Sequence, residues 1–313
     1  MAKTIVLTGA TGLIGGELFK RLTKRGDKVR VLVRNPETAK EKLKGADAYA
    51  KWDAATGAGG EWEKLIGGAD AVINLAGAPV AARWTAEYKQ LISDSRVAGT
   101  RSLVQAMEKA AEKPRTLING SAIGYYGTQP HLPDVMELSE SASPAIDFLA
   151  KVCVDWEAEA IKAEKLGVRV ARVRTGVVLS TKDGALQRLI TPFNLFVGGP
   201  IGDGEQWFSW IHIDDEVNLI LYLLDTESAS GAFNASAPQP VTMKNFARAL
   251  GAALSRPSFF SVPKQALALL FGEGAEAVAE GQRVVPKRTL EAGFKFAYPA
   301  LPAALKDILA HEK

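Results

Sequence analysis

The first 175 residues alternate short apolar runs with segments whose apolar residues recur at helical spacing. Continuous apolar runs of this length are typical of parallel strands buried on both faces of a sheet. The predicted strands are Thr4–Thr8, Val29–Val33, Ala48–Trp52, Ala71–Leu75, Thr116–Asn119 and Val168–Val173. The predicted helices between them are Gly12–Arg25, Pro36–Leu43, Ala86–Ala110 and Ala145–Lys165. This alternation predicts an α/β fold with a doubly wound parallel sheet of the Rossmann type.

The pattern changes after about Thr175, where proline and glycine become frequent. A strand followed by a helix is predicted at Ser209–Leu224. The tail contains three helical patterns, at Met243–Leu254, Lys264–Phe271 and Pro299–Leu309.

These patterns predict a chain of two parts. Residues 1–175 are expected to form a Rossmann dinucleotide-binding domain, with its sheet completed by about residues 209–236. Residues 176–208 and 237–313 are expected to form a smaller C-terminal lobe. We expect this lobe on the substrate side, because such folds bind ligands at the carboxyl edge of the sheet.

Charge and composition exclude several classes of protein. Lys and Arg number 38 and Asp and Glu 35, and the resulting net charge of +3 is too small to favour nucleic acid or an anionic membrane as partner. We expect neither a signal peptide nor a membrane span, because the first residues hold no apolar stretch long enough for the former and no run approaches the roughly 20 apolar residues that the latter needs. Cys153 is the single cysteine, and His131, His212 and His311 lie too far apart to predict a metal site. We expect a cytoplasmic protein.

A glycine-rich loop joins the first predicted strand to the first predicted helix, with the spacing G-x-x-G-x-x-G. Such glycines let the backbone turn tightly and approach a pyrophosphate, while the helix N-terminus supplies N–H donors. The loop therefore predicts a dinucleotide site, and the alternative is a tight strand–helix turn without a ligand. The loop residues expected at the cofactor are Gly9, Thr11, Gly12, Leu13, Ile14 and Gly15.

The end of the second strand distinguishes the two nicotinamide cofactors. An acidic residue there binds the ribose 2′-hydroxyl of NAD, but this chain has Arg34, whose guanidinium suits the 2′-phosphate of NADP. We therefore predict NADP, with NADPH preferred over NADH; the alternative for Arg34 is a solvated surface side chain. Asp53, after the third strand, either accepts a hydrogen bond from the adenine amino group or caps the loop at Thr56.

Several motifs resemble those of the extended short-chain dehydrogenase/reductases. The matching segments are Gly9–Gly15, Asn74–Gly77, Ser121–Gly127 and Trp210–Asp215. A narrower resemblance, to the atypical NAD(P)-dependent epimerase family proteins with a short C-terminal domain of unassigned function, covers essentially the whole chain. It rests on Trp84, Ser95-Arg96, Phe148-Leu149, Cys153, Trp156-Glu157, Gln206–Trp210, Phe233-Asn234, Pro238–Val241, Gly272-Glu273 and Glu291–Phe296.

The resemblance implies a bound NADP(H) in a cleft between the sheet and the small lobe. It implies cofactor contacts from segments that follow the fourth and sixth strands. The residues concerned are Leu75, Ala76, Gly77, Thr175 and Val178.

The resemblance also implies a catalytic Tyr-x-x-x-Lys pair on the second long helix, in which the lysine lowers the pKa of the tyrosine. Counting back from Glu157 places Leu149 at the tyrosine position and Cys153 at the lysine position. The cofactor half of the site is therefore intact and the acid/base half is altered. We expect Cys153 to be a buried, unreactive thiol.

Other residues are candidates for the missing chemistry. The serine position of the family falls on Ser121 or on its neighbour Ala122, and Tyr125 and Tyr126 follow close to the expected substrate. Arg96 occupies the position of a helix asparagine. It either binds a substrate phosphate or carboxylate, contacts the cofactor, or forms a surface salt bridge.

Three further features have competing interpretations. His212 is expected to be structural, before an N-cap at Asp214. Arg174 either lies on the nicotinamide side or is a satisfied buried cation. The aromatic residues of Trp207–Trp210 either stack on a substrate or form a small core between the lobes.

These observations predict an NADP(H)-binding protein like the short-chain dehydrogenase/reductases, acting as a nucleotide-sugar epimerase or reductase without the Tyr-x-x-x-Lys pair. The alternative is a non-catalytic NADP(H)-binding sensor or regulatory protein, which the apolar Leu149 and Cys153 favour. The expected partner is a small-molecule substrate. The chain is expected to be a monomer or a weak homodimer, because the helix at Ala86–Ala110 carries several charges.

Overall fold

The computed structural model describes residues 2–57, 59–130, 135–263, 272–275 and 279–310. The strands are β1 (Thr4–Thr8), β2 (Lys28–Val33), β3 (Ala48–Lys51), β4 (Ala71–Asn74), β5 (Thr116–Ala122), β6 (Arg169–Thr175), β7 (Val177–Leu179), β8 (Trp207–Phe208), β9 (Trp210–His212), β10 (Gly231–Ala235) and β11 (Val241–Thr242). The helices are α1 (Leu13–Arg25), α2 (Pro36–Lys42), α3 (Ala86–Lys109), α4 (Phe148–Ile161), α5 (Ala185–Asn194), α6 (Ile213–Asp225), α7 (Met243–Leu254), α8 (Lys287–Glu291) and α9 (Leu301–Ala310). Short 3₁₀ helices lie at Glu61–Leu65, Ile123–Tyr126 and Lys162–Leu166.

Within the described residues, seven strands form one parallel sheet in the order β10-β6-β5-β4-β1-β2-β3. The order reverses direction beside β1, where β4 and β2 lie on its two sides. Doubly wound sheets bind their ligands at this reversal, at the carboxyl ends of the strands. The predicted α/β fold with a doubly wound sheet is confirmed.

Three hydrophobic clusters account for most of the buried apolar side chains. One packs α1 and α6 against a face of the sheet, and a second packs α3 and the C-terminal end of α4 with the 3₁₀ helix after it against the other face. The third joins α5, α7 and α9 and contains Phe208 and Trp210. Of the two interpretations of the segment Trp207–Trp210, the structure therefore favours a core of the C-terminal region.

Most predicted boundaries differ from the observed ones by one to four residues, and two of the differences have clear local reasons. The helix predicted at Ala145–Lys165 begins at Phe148, because the Asp147 carboxylate accepts the Ala150 N–H at 3.0 Å and caps it. Strand β5 runs on to Ala122, because its last three residues pair with β6. The helix predicted at Lys264–Phe271 lies outside the described residues, as do His131 and His311.

The helices described here include none that combines the length and apolarity required to cross a lipid bilayer. Compartment assignment therefore stays a prediction from the sequence.

Candidate functional site

The Gly9–Gly15 loop leaves β1 and enters α1 with its backbone closely packed. Gly9 has a φ of +68°, and a Cβ on it would lie 2.6 Å from the Leu75 carbonyl oxygen. A Cβ on Gly15 would lie 2.2 Å from the Gly9 oxygen. Side chains are therefore excluded at both positions, and the loop keeps the shape that brings backbone close to a ligand.

The N-terminus of α1 is open to an anion. Its N-cap is Gly12, no described side chain caps it, and its first turn contains no acidic residue. Thr11 and Gly12 are exposed, whereas Leu13 and Ile14 are partly buried. The first N–H groups of a helix without a cap can donate to phosphate oxygens, and the helix dipole favours negative charge there. These residues fit the diphosphate of a dinucleotide.

The segment after β4 is held by buried hydrogen bonds. The Thr8 hydroxyl donates to Asn74 Oδ1 at 2.7 Å and accepts the N–H groups of Leu75 at 3.1 Å and Ala76 at 3.2 Å. The backbone of Ala76 and Gly77 is thereby placed beside the Gly9 loop. This position agrees with the predicted contact between Leu75–Gly77 and a cofactor, which stays a prediction.

Two further predicted cofactor residues lie at the neighbouring strand ends. Arg34 follows β2, is exposed, and has no hydrogen bond or ion pair with any described residue. The Asp53 carboxylate accepts the Ala55 N–H at 3.0 Å, while its carbonyl oxygen accepts the Thr56 hydroxyl at 3.2 Å. Arg34 is therefore available to a ligand. Asp53 stabilises its own loop, which is close to the alternative in which it caps the loop at Thr56.

The two positions at which the resemblance implies a tyrosine and a lysine hold packing residues. Leu149 packs against Gly124, whose added Cβ would lie 3.5 Å from the Leu149 Cβ. Cys153 is buried, and burial raises the pKa of its thiol to about 12. At neutral pH neither residue carries a proton that it can exchange, nor a positive charge.

The acid/base half of the site contains a buried group of hydrogen bonds that we call the Glu157 network. The Glu157 carboxylate accepts Arg174 Nε at 2.7 Å and Arg174 Nη2 at 2.9 Å. It also accepts the Ser121 hydroxyl at 2.7 Å and Arg172 Nη1 at 2.8 Å. The members of the network are Ser121, Tyr126, Glu157, Arg172, Arg174 and Asn234.

The electrostatics of this network are balanced internally. Burial by itself raises the pKa of Glu157, but the hydrogen bonds and charge of Arg174, with those of Ser121 and Arg172, hold it below its usual range. The hydrogen bonds and charge of Glu157 in turn raise the pKa of Arg174 further above its ordinary value, although burial alone would lower it. Arg174 is therefore a satisfied buried cation, one of the two alternatives that the sequence left open.

The two adjacent tyrosines differ in their surroundings. The Tyr126 hydroxyl donates to Asn234 Oδ1 at 2.7 Å and accepts Arg174 Nη1 at 2.9 Å. Burial raises the pKa of Tyr126 to about 12. The Tyr125 ring lies 3.5 Å from Arg174 Cζ and is partly exposed, and its hydroxyl has no hydrogen-bond partner among the described residues. Catalytic roles for Ser121, Tyr125 and Tyr126 stay predictions.

Arg96 lies between the cofactor half and the altered half. Its Nη1 donates to the Ile92 carbonyl at 3.1 Å, and its Cζ is 5.3 Å from the Trp156 ring. A Cβ on Gly77 would lie 3.0 Å from that Cζ, so the guanidinium packs directly on the Gly77 backbone. A surface salt bridge, one of the three alternatives, is not observed among the described residues.

The segment Thr175–Val178 is anchored by α6 and by the neighbouring strands. The Thr175 hydroxyl donates to Glu216 Oε1 at 2.9 Å, and the Gly176 N–H donates to the Ala235 carbonyl at 2.9 Å. Glu216 is fully buried, and its Oε2 has no partner among the described residues. Burial raises the pKa of Glu216 to about 8.

Glu216 was missed in the sequence analysis. It follows Asp214 and Asp215, and that acidic run is typical of an exposed first turn of a helix. The only available signal was its spacing, since Glu216 precedes the apolar Val217 and lies four residues before Ile220 on the buried face.

The prediction that Asp214 caps α6 is wrong. Helix α6 begins at Ile213, and His212 is its N-cap, because its Nδ1 accepts the Asp214 N–H at 3.0 Å. His212 Nε2 lies 3.3 Å from Asp307 Oδ2, and burial lowers the pKa of the imidazole. The structural role predicted for His212 therefore rests on its own ring nitrogen rather than on the following carboxylate.

His212 also lies in a group of possible metal ligands that the histidine spacing did not predict. Ligand atoms of His212, Asp214 and Asp307 lie within 4.8 Å of one another. Protein groups already engage this cluster, since Arg21 pairs with Asp214 and Tyr298 with Asp307.

Comparisons with known proteins agree with this architecture. A model of the NAD dependent epimerase/dehydratase family matches residues 5–236, and a model of a domain of unknown function, DUF1731, matches residues 262–308. The chain is 42% identical over 308 residues to the chloroplastic epimerase family protein SDR39U1 homolog of Arabidopsis thaliana, covering 98% of this chain and 86% of that protein.

Solved structures show the same relationship. The structure of human epimerase family protein SDR39U1 (isoform 2) with NADPH has a TM-score of 0.84 and 33% identity, covering 98% of this chain and 99% of that one. A nucleoside-diphosphate sugar epimerase from Corynebacterium glutamicum has a TM-score of 0.77 and 32% identity, covering 99% of this chain and 59% of that one. Together with the nucleotide loop, these matches show that the chain belongs to the NAD dependent epimerase/dehydratase family, with residues 262–308 similar to DUF1731.

Proposed function

We propose that this protein binds NADP(H) and uses it in the reduction or epimerisation of a small polar substrate, with nucleotide sugars as the candidate class. The observation that carries the proposal is the Gly9–Gly15 loop, whose packed glycines lead into a helix N-terminus without a cap. The human relative named with NADPH and the Corynebacterium glutamicum sugar epimerase support it.

Each part of the cofactor half has a separate task in this proposal. When bound, the nicotinamide supplies or accepts a hydride. The N–H groups of residues 12–15 hold the diphosphate, and Arg34 binds the 2′-phosphate. The backbones of Leu75–Gly77 and Thr175–Val178 border the rest of the cofactor and exclude water from it.

Tyr125 is the residue that we assign to proton transfer. Its hydroxyl is free among the described residues, whereas the Tyr126 hydroxyl is committed to Asn234 and Arg174. The Arg174 guanidinium lies over the Tyr125 ring, with its Cζ 3.5 Å from the ring centre, and this contact holds the ring in place. Tyr125, which lies in the 3₁₀ helix after β5, thus takes the role of the tyrosine that the resemblance implies at position 149.

The cofactor assignment is tested by fluorescence titration with NADPH and with NADH. We expect tighter binding of NADPH, and Arg34→Ala should weaken it by about 10- to 100-fold while leaving NADH unchanged. Lys24→Ala, which removes an exposed charge at the other end of α1, is the matched control. Equal affinities for the two cofactors in the wild type would refute the preference for NADP.

The reaction is tested by following NADPH oxidation with aldehydes, quinones and nucleotide sugars. Where turnover is found, Tyr125→Phe should lower kcat by roughly 100-fold or more, the usual contribution of a general acid. Tyr126→Phe should retain most of the activity. Full activity in Tyr125→Phe would remove this residue from the mechanism.

A second candidate function is a non-catalytic NADP(H)-binding sensor or regulatory protein. The observation that favours it is the replacement of the acid/base pair by the packed Leu149 and the un-ionised Cys153. It predicts the same cofactor selectivity with no turnover of any tested substrate.

A further inference from the structure

Two adjacent segments of the C-terminal region concentrate exposed apolar side chains. Of the ten large apolar side chains that are exposed among the described residues, five lie within residues 195–197 and 259–260. The segments are neighbours, because the Phe260 N–H donates to the Gly198 carbonyl at 3.3 Å. Single exposed apolar residues are ordinary, whereas a contiguous group of them marks an interaction site. We call this group the apolar patch, and its members are Leu195, Phe196, Val197, Phe259 and Phe260.

The backbone holds one ring of the patch in a conformation that glycine favours. Helix α5 ends in a Schellman turn, in which the Phe196 N–H donates to the Phe193 carbonyl at 2.9 Å and the Val197 N–H to the Pro192 carbonyl at 3.0 Å. Phe196 occupies the left-handed position of this turn, with a φ of +61°, and is 55% exposed. Residues in such conformations concentrate at functional sites. Neither local structure nor burial explains a phenylalanine here.

The charge near the patch is uneven, although the net charge of +3 for the whole chain does not by itself favour an anionic partner. Residues 184–202 and 228–272, which contain both segments of the patch, include no Asp or Glu. Arg256 lies beside the patch, with its Cζ 4.6 Å from the Phe196 ring and its Nη1 donating to the Ser255 carbonyl at 3.2 Å. These ranges suit an anionic partner. Their basic residues are Arg188, Lys244, Arg248, Arg256 and Lys264.

An anionic lipid surface fits these observations better than a protein partner does. The apolar side chains stand on two turns, one at the end of α5 and one that follows α7. Such side chains can enter a fluid apolar phase directly, whereas a partner protein must provide a packed pocket for each ring. A second copy of this chain would bring its own basic residues against those of the first. The Arg256 guanidinium can reach lipid phosphates while its stem stays beside the rings.

We propose that the apolar patch inserts into the surface of a membrane that contains anionic lipids, with Arg256 pairing with lipid phosphate. The aromatic and aliphatic side chains supply the apolar contact, and the basic residues supply the preference for anionic headgroups. The protein then lies on the membrane without crossing it. This inference goes beyond the proposed function and does not depend on it.

The inference is tested by flotation of the protein with vesicles of phosphatidylcholine, alone or with about 30% phosphatidylglycerol as the anionic lipid. We expect binding to the anionic vesicles, weaker binding to the neutral ones, and loss of binding at high salt. Phe259→Ser should lower the partition coefficient about tenfold or more. Arg256→Gln should lower it about fivefold, and on anionic vesicles alone.

Two further variants separate the patch from general effects of mutation. Phe196→Gly removes a ring and suits the left-handed turn, so reduced vesicle binding in this variant does not come from misfolding. Ile146→Ser removes a fully exposed apolar side chain in the segment before α4, and this matched control should bind vesicles like the wild type. NADPH affinity should stay unchanged in all four variants.

Three results would overturn the inference. The first is a wild type that does not float with anionic vesicles, or that floats no better than Phe196→Gly and Phe259→Ser. The second is equal binding to neutral and anionic vesicles, which would remove the preference for anionic lipid. The third is self-association in analytical ultracentrifugation that Phe259→Ser abolishes, without vesicle binding, which would assign the patch to contacts between copies of this chain.

Discussion

The two halves of the candidate site use their polar groups in opposite ways. In the cofactor half, the N-terminus of α1 leaves backbone N–H groups without a cap, and Arg34 extends from the surface without a partner among the described residues. In the acid/base half, Glu157 and Arg174 satisfy each other within a buried network. Unused donors mark the half that binds a ligand, and saturated ones mark the half that stabilises the fold.

Cofactor recognition and acid/base chemistry therefore depend on different kinds of groups in this protein. Binding through backbone depends on glycines and tolerates change in the surrounding side chains. The acid/base pair depends on two side chains, and their positions now hold Leu149 and Cys153. Ser121, the other polar position that the resemblance implies, belongs to the buried Glu157 network.

The largest effect on cofactor binding is expected from Gly15→Ala. Its Cβ would lie 2.2 Å from the Gly9 carbonyl oxygen, so the loop must open, and NADPH affinity should fall by roughly 100-fold or more. Gly16→Ala is the matched control, since its Cβ meets Ala10 at an ordinary 3.4 Å and alanine favours the helix by about 1 kcal/mol. Fluorescence titration and urea unfolding measure both variants. Similar NADPH affinities in the two would contradict the role of the loop.

The next effect concerns the stability that the acid/base half gives to the fold. Glu157→Gln leaves Arg174 and Arg172 without their carboxylate and should lower the free energy of unfolding by about 3–5 kcal/mol. Glu159→Gln, on the same helix, breaks pairs with the largely exposed Arg101 and Lys162 and should cost up to about 1 kcal/mol. Urea unfolding compares them, and equal losses would mean that the network does not stabilise the fold.

A pH-dependent effect is expected from Glu216. Burial raises its pKa to about 8 from the ordinary 4.5, so between these pH values the unfolded chain is ionised while the folded one keeps its proton. The wild type should therefore lose stability as pH rises from about 4.5 to 8, by about 1 kcal/mol per pH unit relative to Glu216→Gln. Above pH 8 the difference should level off. Parallel pH profiles of the two proteins in thermal unfolding would show that Glu216 ionises freely.

The smallest effect distinguishes the two tyrosines. Tyr126→Phe leaves Asn234 and Arg174 each without a buried partner and should lower the free energy of unfolding by about 1–3 kcal/mol. Tyr125→Phe removes a hydroxyl without a partner among the described residues and should change stability by less than about 0.5 kcal/mol. Urea unfolding again measures both variants. A larger loss of stability in Tyr125→Phe than in Tyr126→Phe would mean that Tyr125, and not Tyr126, stabilises the acid/base half.

The sequence predicted the features that depend on local pattern. The strand at Thr4–Thr8 and the helix at Met243–Leu254 have the predicted bounds, since apolar runs and caps act over a few residues. Side-chain partners far apart in the chain were not predicted. His212 was expected to precede a cap at Asp214, because capping by a histidine ring has no common sequence signal.

The sequence by itself determined the alternation of strands and helices, the glycine loop, and the presence of Leu149 and Cys153 where the resemblance implies a tyrosine and a lysine. These follow from periodicity and from residue identity at fixed spacing. Only the tertiary structure decided which polar groups are free and which are satisfied. Glu157 and Arg174 meet across an α-helix and a strand, and Arg96 reaches Gly77 from another helix. Burial and partners come from contacts between distant segments, and these set both the charge and the use of each group.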